Sequence, residues 1–218
     1  MKNPTRSAFL LIDMEYGFLN ADSVHCIKGA AATVPFCEKA IRIAREKDMP
    51  LFFITRVYRA DGSDVECTRH QSWLAGGRSM RPGSRGAKAP EALSPQPGDY
   101  AIVKPRWSAF FQTELDLILR RLGVRTVILA GTTTPNCIRT TCYDANALDY
   151  NVVVLSDCTS SQTEEIQRAN LEDMERMGAT IMDTGDFAHY GPDSVPDLAA
   201  AIRTEILGGP EEGPPLPR

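Results

Sequence analysis

The sequence predicts an α/β protein, a three-layer α/β/α sandwich around a six-stranded parallel sheet of Rossmann-like type. Two observations carry this. Short apolar runs rich in β-branched and aromatic residues alternate with longer segments whose apolar residues recur three and four apart, the pattern of strands joined by crossover helices. The runs are almost continuously apolar rather than alternating, as strands covered on both faces must be.

Taken in order, the strands are expected at 8–12, 51–55, 100–103, 126–130, 152–155 and 179–182. Helical periodicity fills 30–47, 113–122, 135–149 and 164–177, and 196–207 adds a last helix. Gly123 and Gly178 stand where helix C-caps belong. No composition shift divides the chain, so 1–207 reads as a single domain and 208–218 (GGPEEGPPLPR) as a disordered tail. The stretch 59–98, rich in Gly, Pro, Ser and Arg, exceeds an ordinary connection and reads as a lid or an oligomer-contact loop.

At 218 residues with 43% hydrophobic and 24% charged residues, the composition is that of a globular protein. A net charge of -4 argues against nucleic-acid and anionic-membrane partners, which recruit clustered Lys and Arg. A small-molecule partner is expected instead. The apolar run before Asp13 is too short for a signal peptide or a membrane span, so a cytoplasmic location is expected by default. The six cysteines, at 26, 37, 67, 137, 142 and 158, are read as five structural or surface thiols and one special one, since a chain of this size needs no disulfide staples.

Ligands of open parallel sheets bind beyond the carboxyl ends of the strands. The residues that follow the first, third and fourth strands are Asp13, Lys104 and a segment ending at Cys137. Each alone has an ordinary explanation, as a helix cap, a solvated charge or a small core hydrophobe. Together they put an acid, a base and a thiol on one rim. In TVILAGTTTPNCIRTTCYDANALDY the strand ends at Gly131, Thr134 fits an N-cap and Pro135 the first helical residue. Cys137 then lies in the first turn, where free N–H groups and the helix dipole favour a thiolate over a thiol. Lys104 adds a cation. Asp13 can take the thiol proton and later activate water.

Three segments, LLIDMEYGFL at 10–19, VKPRWSAFFQTELDLIL at 103–119 and AGTTTPNCIRTTCYDANALDYNVVVLSD at 130–157, resemble in content and spacing the three motifs of the isochorismatase-like family of cysteine hydrolases. The resemblance implies a strand order 3-2-1-4-5-6, an Asp13, Lys104, Cys137 catalytic triad and a homo-oligomer, dimer or tetramer. It also implies a cis peptide from Thr132 to Thr133, with the backbone N–H groups of Thr133 and Cys137 forming an oxyanion hole.

Departures from the family narrow the chemistry. Its nicotinamidases hold a metal with an Asp and His cluster after the second strand, whereas ITRVYRADGSD at 54–64 has no His. His25, His70 and His189 lack ligand spacing, His70 reads as a surface residue, and neither metal nor cofactor is expected. Isochorismatases cleave a vinyl ether without a cysteine nucleophile, so Cys137 points to a small amide, carbamoyl or ureido compound cleaved through a thioester.

Arg56, Arg59, Arg106, Trp107 and Gln162 are substrate-binding candidates, Trp107 as an apolar wall and Arg56 or Arg106 as a fork for a carboxylate. Their structural alternatives are loop ties for Arg106, an ion pair with Asp61 or Asp64 for Arg59 and a helix cap for Gln162. Asp157 reads as structural, bonded to nearby backbone or to Thr159 and Ser160. Cys142 lies on another face of the helix from Cys137 and Cys158 packs at a strand end. Three other readings remain: a vinyl-ether hydrolase with Asp13 as acid, a non-catalytic scaffold, and a redox protein, which would need a resolving thiol.

Overall fold

The computed structural model describes residue 3 and residues 5–208. Its strands are β1 Ser7–Ile12, β2 Leu51–Thr55, β3 Tyr100–Val103, β4 Thr126–Thr132, β5 Asn151–Ser160 and β6 Thr180–Met182. They form one parallel sheet of order β3-β2-β1-β4-β5-β6. Strand order reverses between β1 and β4, the switch point at which such sheets open a crevice. Ile12 is level with Ile54 and with Gly131, and Thr55 with Val103, so four strands end along one rim.

The helices are α1 Tyr16–Leu19, α2 Ala30–Glu46, α3 His70–Ala75, α4 Leu115–Arg121, α5 Arg139–Ala147, α6 Glu164–Arg176, α7 Thr184–Ala188 and α8 Leu198–Gly208. Successive strand residues point to opposite faces, which divides the core in two. Phe9, Leu11, Phe53, Ile128, Ala130 and Val153 pack against Cys37, Ala40, Ile41 and Ala44 of α2 and Phe187 of α7. Leu10, Ile12, Ile54, Leu129 and Val154 pack against Leu115 and Leu119 of α4, Cys142 and Ala145 of α5 and Met174 of α6.

The expected strands and long helices are all present, with instructive differences. β3 and β6 are not buried on both faces; they close the sheet's two edges and only Ile102 of β3 is fully covered. β5 runs on to Ser160 because a bulge against β4 between Leu129 and Gly131 re-registers the pair, so that Gly131 faces Thr159 and Thr132 faces Ser160. Those residues are polar and escape an apolar-run reading. The single helix expected over 135–149 is a π-helical turn, Thr134–Ile138, followed by α5. α1, α3 and α7 are too short for helical periodicity to register. α8 is present but buries no residue. Of the expected tail, Gly208 closes α8 and 209–218 lie outside the described residues.

The segment 59–98 has a small core of its own. Tyr58, Val65, Trp73 and Met80 cluster with Phe18. The Tyr58 N–H donates to Met80 O at 2.8 Å, Trp73 Nε1 donates to Ser79 O at 2.6 Å, and the Trp73 ring meets Tyr58 edge-on at 6.1 Å between centroids. Among the described residues, no helix is long and apolar enough to cross a membrane.

Candidate active site

Three strand ends deliver the three residues singled out by position. Asp13 leaves β1 with φ +53 while its N–H still donates to Ile54 O at 2.9 Å. A non-glycine residue in the left-handed region costs roughly 1–2 kcal/mol, and here it swings the carboxylate across the strand end. Lys104 is fixed by its N–H to Thr55 O at 2.9 Å. Gly131, with φ +112, lies so close to β1 that a Cβ would collide with Ile12 O. Only glycine lets the chain leading to Cys137 press against the chain leading to Asp13. The Thr132–Thr133 peptide is cis.

The Lys104 ammonium stands 2.7 Å from Asp13 Oδ2 and 3.6 Å from Cys137 Sγ, and donates to Arg106 O at 3.0 Å. Asp13 in turn is near enough to the thiol to raise its pKa. All three side chains are buried. Acid, cation and sulfur thus share one dry contact.

Burial pushes the Cys137 thiol up to about 11, and the Asp13 carboxylate adds to the rise; Lys104 and Arg56 oppose it without prevailing. This corrects the expectation of a thiolate held at a helix end. The turn is π-helical, not a regular first turn, and the Asn136 and Ile138 N–H groups on either side of Cys137 both donate to Thr133 O, at 3.1 and 3.2 Å. The sulfur is held as a thiol beside the Asp13 carboxyl group. Thr134 is likewise not a cap, because its hydroxyl lies 2.9 Å from Ser160 O and 2.6 Å from Gln167 Oε1 and directs its one proton to these acceptors.

Arg56, the first residue past β2, is the one substrate-binding candidate that the structure buries beside these three. Its Nη1 donates to Glu66 Oε1 and to Tyr58 Oη, the latter at 3.5 Å, and Tyr58 donates to Glu66 Oε2 at 2.7 Å. Its backbone N–H donates to Glu15 Oε1. Burial alone would loosen the guanidinium's proton, but Asp13, Cys137, Tyr58 and Glu66 outweigh it and raise its pKa. Burial likewise opposes ionisation of Glu66, yet Arg56 and the Tyr58 hydrogen bond hold its carboxyl below the usual range. Glu15 makes no such ion pair. Complete burial, then Asp13, raise it well above an ordinary glutamate, and the Arg56 N–H and Lys104 lower it only in part.

The remaining candidates go elsewhere. Arg59 is exposed, its Nε 3.8 Å from Asp61. Arg106 ties its loop by donating to Asp64 O at 2.7 Å and Pro105 O at 2.6 Å. Trp107 is 37% exposed at the surface beyond β3. Gln162 donates to Cys26 O at 2.9 Å and accepts from the Lys28 N–H at 3.3 Å, clamping the loop before α2 rather than facing the thiol. Asp157 is structural, but its partner is Thr184, whose N–H and hydroxyl it accepts at 3.1 and 2.7 Å, not Thr159 or Ser160. Thr133, named for its N–H, is buried and its hydroxyl donates to Ser160 O at 3.0 Å. Among the described residues all six cysteines are free and no group of three His, Cys, Asp or Glu converges.

Sequence reasoning missed Glu15, Tyr58 and Glu66. Glu15 had a signal, since it shares with Asp13 the polar rim that follows β1. Tyr58 and Glu66 had none, because nothing in a loop's composition says which acid will meet a buried arginine.

A doubly wound α/β protein with a thiol, a carboxylate and an ammonium converging at its topological switch point has the architecture and the chemical groups of a hydrolase. The chain belongs to the isochorismatase family of hydrolases: the isochorismatase domain model matches residues 7–186. It is 38% identical over 177 residues to an Arabidopsis thaliana protein described as a probable inactive nicotinamidase, covering 79% of this chain and 89% of that one. An isochorismatase family protein from Desulfovibrio vulgaris superposes with TM-score 0.80 at 40% identity, covering 83% of this chain and 95% of that one. A cysteine hydrolase from Pseudomonas syringae gives 0.79 at 26% identity (86% and 93% covered). The N-carbamoylsarcosine amidase of Thermoplasma acidophilum gives 0.69 at 26% identity (82% and 96% covered).

Proposed function

We propose that the protein is a metal-independent cysteine amidohydrolase acting on a small amide, carbamoyl or ureido compound, with Cys137 as nucleophile, Asp13 as general base and Lys104 as their supporting cation. The observation that carries this is the single buried contact of Lys104 Nζ with Asp13 Oδ2 at 2.7 Å and Cys137 Sγ at 3.6 Å. A surface lysine pair needs no such burial, and a structural thiol needs no such partners.

A neutral thiol sets the order of events. Asp13 takes the Cys137 proton as the sulfur attacks the carbonyl carbon, so the thiolate forms only with substrate in place. The backbone N–H groups of Thr133 and Cys137 are assigned to the oxyanion of the tetrahedral intermediate. Asp13 returns its proton to the departing nitrogen, which leaves as ammonia or an amine, and a thioester remains. Asp13 then accepts a proton from water as that water attacks the thioester carbon; the C–S bond breaks, the proton passes from Asp13 to the departing sulfur, and the acyl group leaves as a carboxylic or carbamic acid. Lys104 steadies the carboxylate against the charge on sulfur. Arg56 occupies the end of β2 with a buried positive charge, which disfavours a metal ion there. An amidase and a cysteine hydrolase among the structural neighbours support the reaction class.

The test is an ammonia-release screen over carbamoyl amino acids, ureides and simple amides with wild type beside Cys137→Ser. The variant is expected to lose activity on every hit, typically by orders of magnitude. A variant as fast as wild type would exclude covalent catalysis and leave Asp13 as the acid of a vinyl-ether hydrolase; hydrolysis of no compound by wild type would favour a non-catalytic protein.

A further inference from the structure

We propose that Glu15 is a specificity-determining residue that presents a carboxylic acid proton on Oε2 to an uncharged oxygen of the substrate; this rests on the reading of Cys137 as nucleophile. The end of β2 pins Glu15 to the catalytic rim. Three consecutive residues do so: Ile54 O takes the Asp13 N–H, Thr55 O takes the Lys104 N–H, and the Arg56 N–H donates to Glu15 Oε1. The Glu15 side chain is fully buried, yet its Oε2 has no hydrogen-bond partner among the described residues. One oxygen of this carboxyl holds the fold, and the other is bonded to nothing in the protein.

Ion pairing decides which form that oxygen takes. Lys104 is paired with Asp13 and Arg56 with Glu66, which leaves Glu15 without an ion pair among the described residues. A carboxylate without a counter-ion is far costlier in a dry site than a carboxylic acid, and burial and then the Asp13 charge act in that direction. Since Oε1 accepts the Arg56 N–H, the proton belongs on Oε2, which becomes a donor without an acceptor. Such a donor is costly until a ligand answers it. The Asp13 charge acts on Glu15 and Cys137 alike and disfavours an anion at this place. The scissile carbonyl oxygen is already assigned to the Thr133 and Cys137 N–H groups. The acceptor that fits is a second, uncharged oxygen, which the substrate carries next to its scissile amide.

Chloroacetamide and N-chloroacetylurea test this without knowledge of the substrate. Both alkylate a thiolate with loss of chloride, and the second adds an uncharged carbonyl beside the first. The ratio of their rates at one cysteine cancels that cysteine's pKa, and the exposed Cys67 corrects for intrinsic reactivity. The chloroacetylurea-to-chloroacetamide ratio at Cys137 is expected to exceed that at Cys67 by about tenfold or more, the equivalent of ~1.4 kcal/mol. In Glu15→Gln the amide oxygen must accept the Arg56 N–H, which puts the amide nitrogen, still a donor, where Oε2 stood. The preference should then stay within about threefold of wild type. Glu15→Met offers no donor and should bring the ratio to within about twofold of the Cys67 value. Equal ratios in wild type, a preference lost in Glu15→Gln or kept in Glu15→Met, or no labelling of Cys137 by either reagent while Cys67 reacts fully would each overturn the proposal. Should Glu15→Met not fold, the infrared difference spectrum between wild type and Glu15→Gln at neutral pH decides: it must contain the carbonyl stretch of one protonated carboxylic acid, and its absence overturns the reading. Loss of activity in Cys137→Ser together with equal reagent ratios sinks only the role of Glu15; retained activity in Cys137→Ser sinks the nucleophile itself.

Discussion

Replacing Cys137 by alanine isolates the energy of burying that thiol. An ordinary thiol near 9.0 is raised to about 11 by burial first and Asp13 second. At 1.36 kcal/mol per pKa unit, about two units correspond to roughly 2.7 kcal/mol between the two protonation states. The sign follows from linkage: the folded state holds the proton more tightly than the unfolded state, so stability is intact below pH ~9 and falls as pH rises toward ~11. By pH ~11 about 2 kcal/mol of it should be gone, and the remainder above that. Other groups titrate in this range, but they do so in Cys137→Ala as well. The observable is therefore the difference in urea-unfolding free energy between wild type and Cys137→Ala, measured at steps from pH 8 to 11. It should shift against wild type by about 2 kcal/mol over that range. A difference that is flat with pH would mean that folding leaves the thiol's pKa unchanged, and one in which wild type gains as pH rises below about 8 would mean that the sequence-based expectation of a resting thiolate was right.

Gly131→Ala should destabilise the protein by at least about 2 kcal/mol, the left-handed penalty plus displacement of Ile12, and lower turnover because Asp13 moves with Ile12; denaturant unfolding and an amidase assay read both. Glu66→Gln breaks a buried ion pair and should cost about 3–5 kcal/mol in the same unfolding measurement. Glu15→Gln keeps the acceptor for the Arg56 N–H and removes a carboxyl whose folded pKa is raised. Because that raised pKa erodes wild-type stability as pH climbs above about 4.5, the variant should gain relative to wild type between pH 4 and 8, and a relative loss would contradict a raised Glu15. Removing Asp157 with Asp157→Ala should cost about 1–3 kcal/mol through its lost bonds to Thr184 while leaving turnover near wild type.

The sequence by itself determined which residues form the sheet and which end of it matters. Continuous apolar runs such as 126–130 and 152–155 can be satisfied only between two layers of helices, and a polar residue that follows such a run must emerge at the strand's end. Asp13, Lys104 and Cys137 were legible for that reason, and the three motifs around them identified the family. Tertiary structure decided the protonation and the partners. A helix-end cysteine reads as a thiolate when only its own turn is considered, but burial and a carboxylate brought from β1 act through space and reverse the sign. Glu66 meets Arg56 across a loop that no periodicity describes, Glu15 is raised by its dry surroundings and by Asp13, and Gln162, polar and well placed along the chain, bonds to Cys26 and Lys28. Local pattern fixes where a backbone runs, whereas the energy of a charge depends on every group that the fold gathers around it.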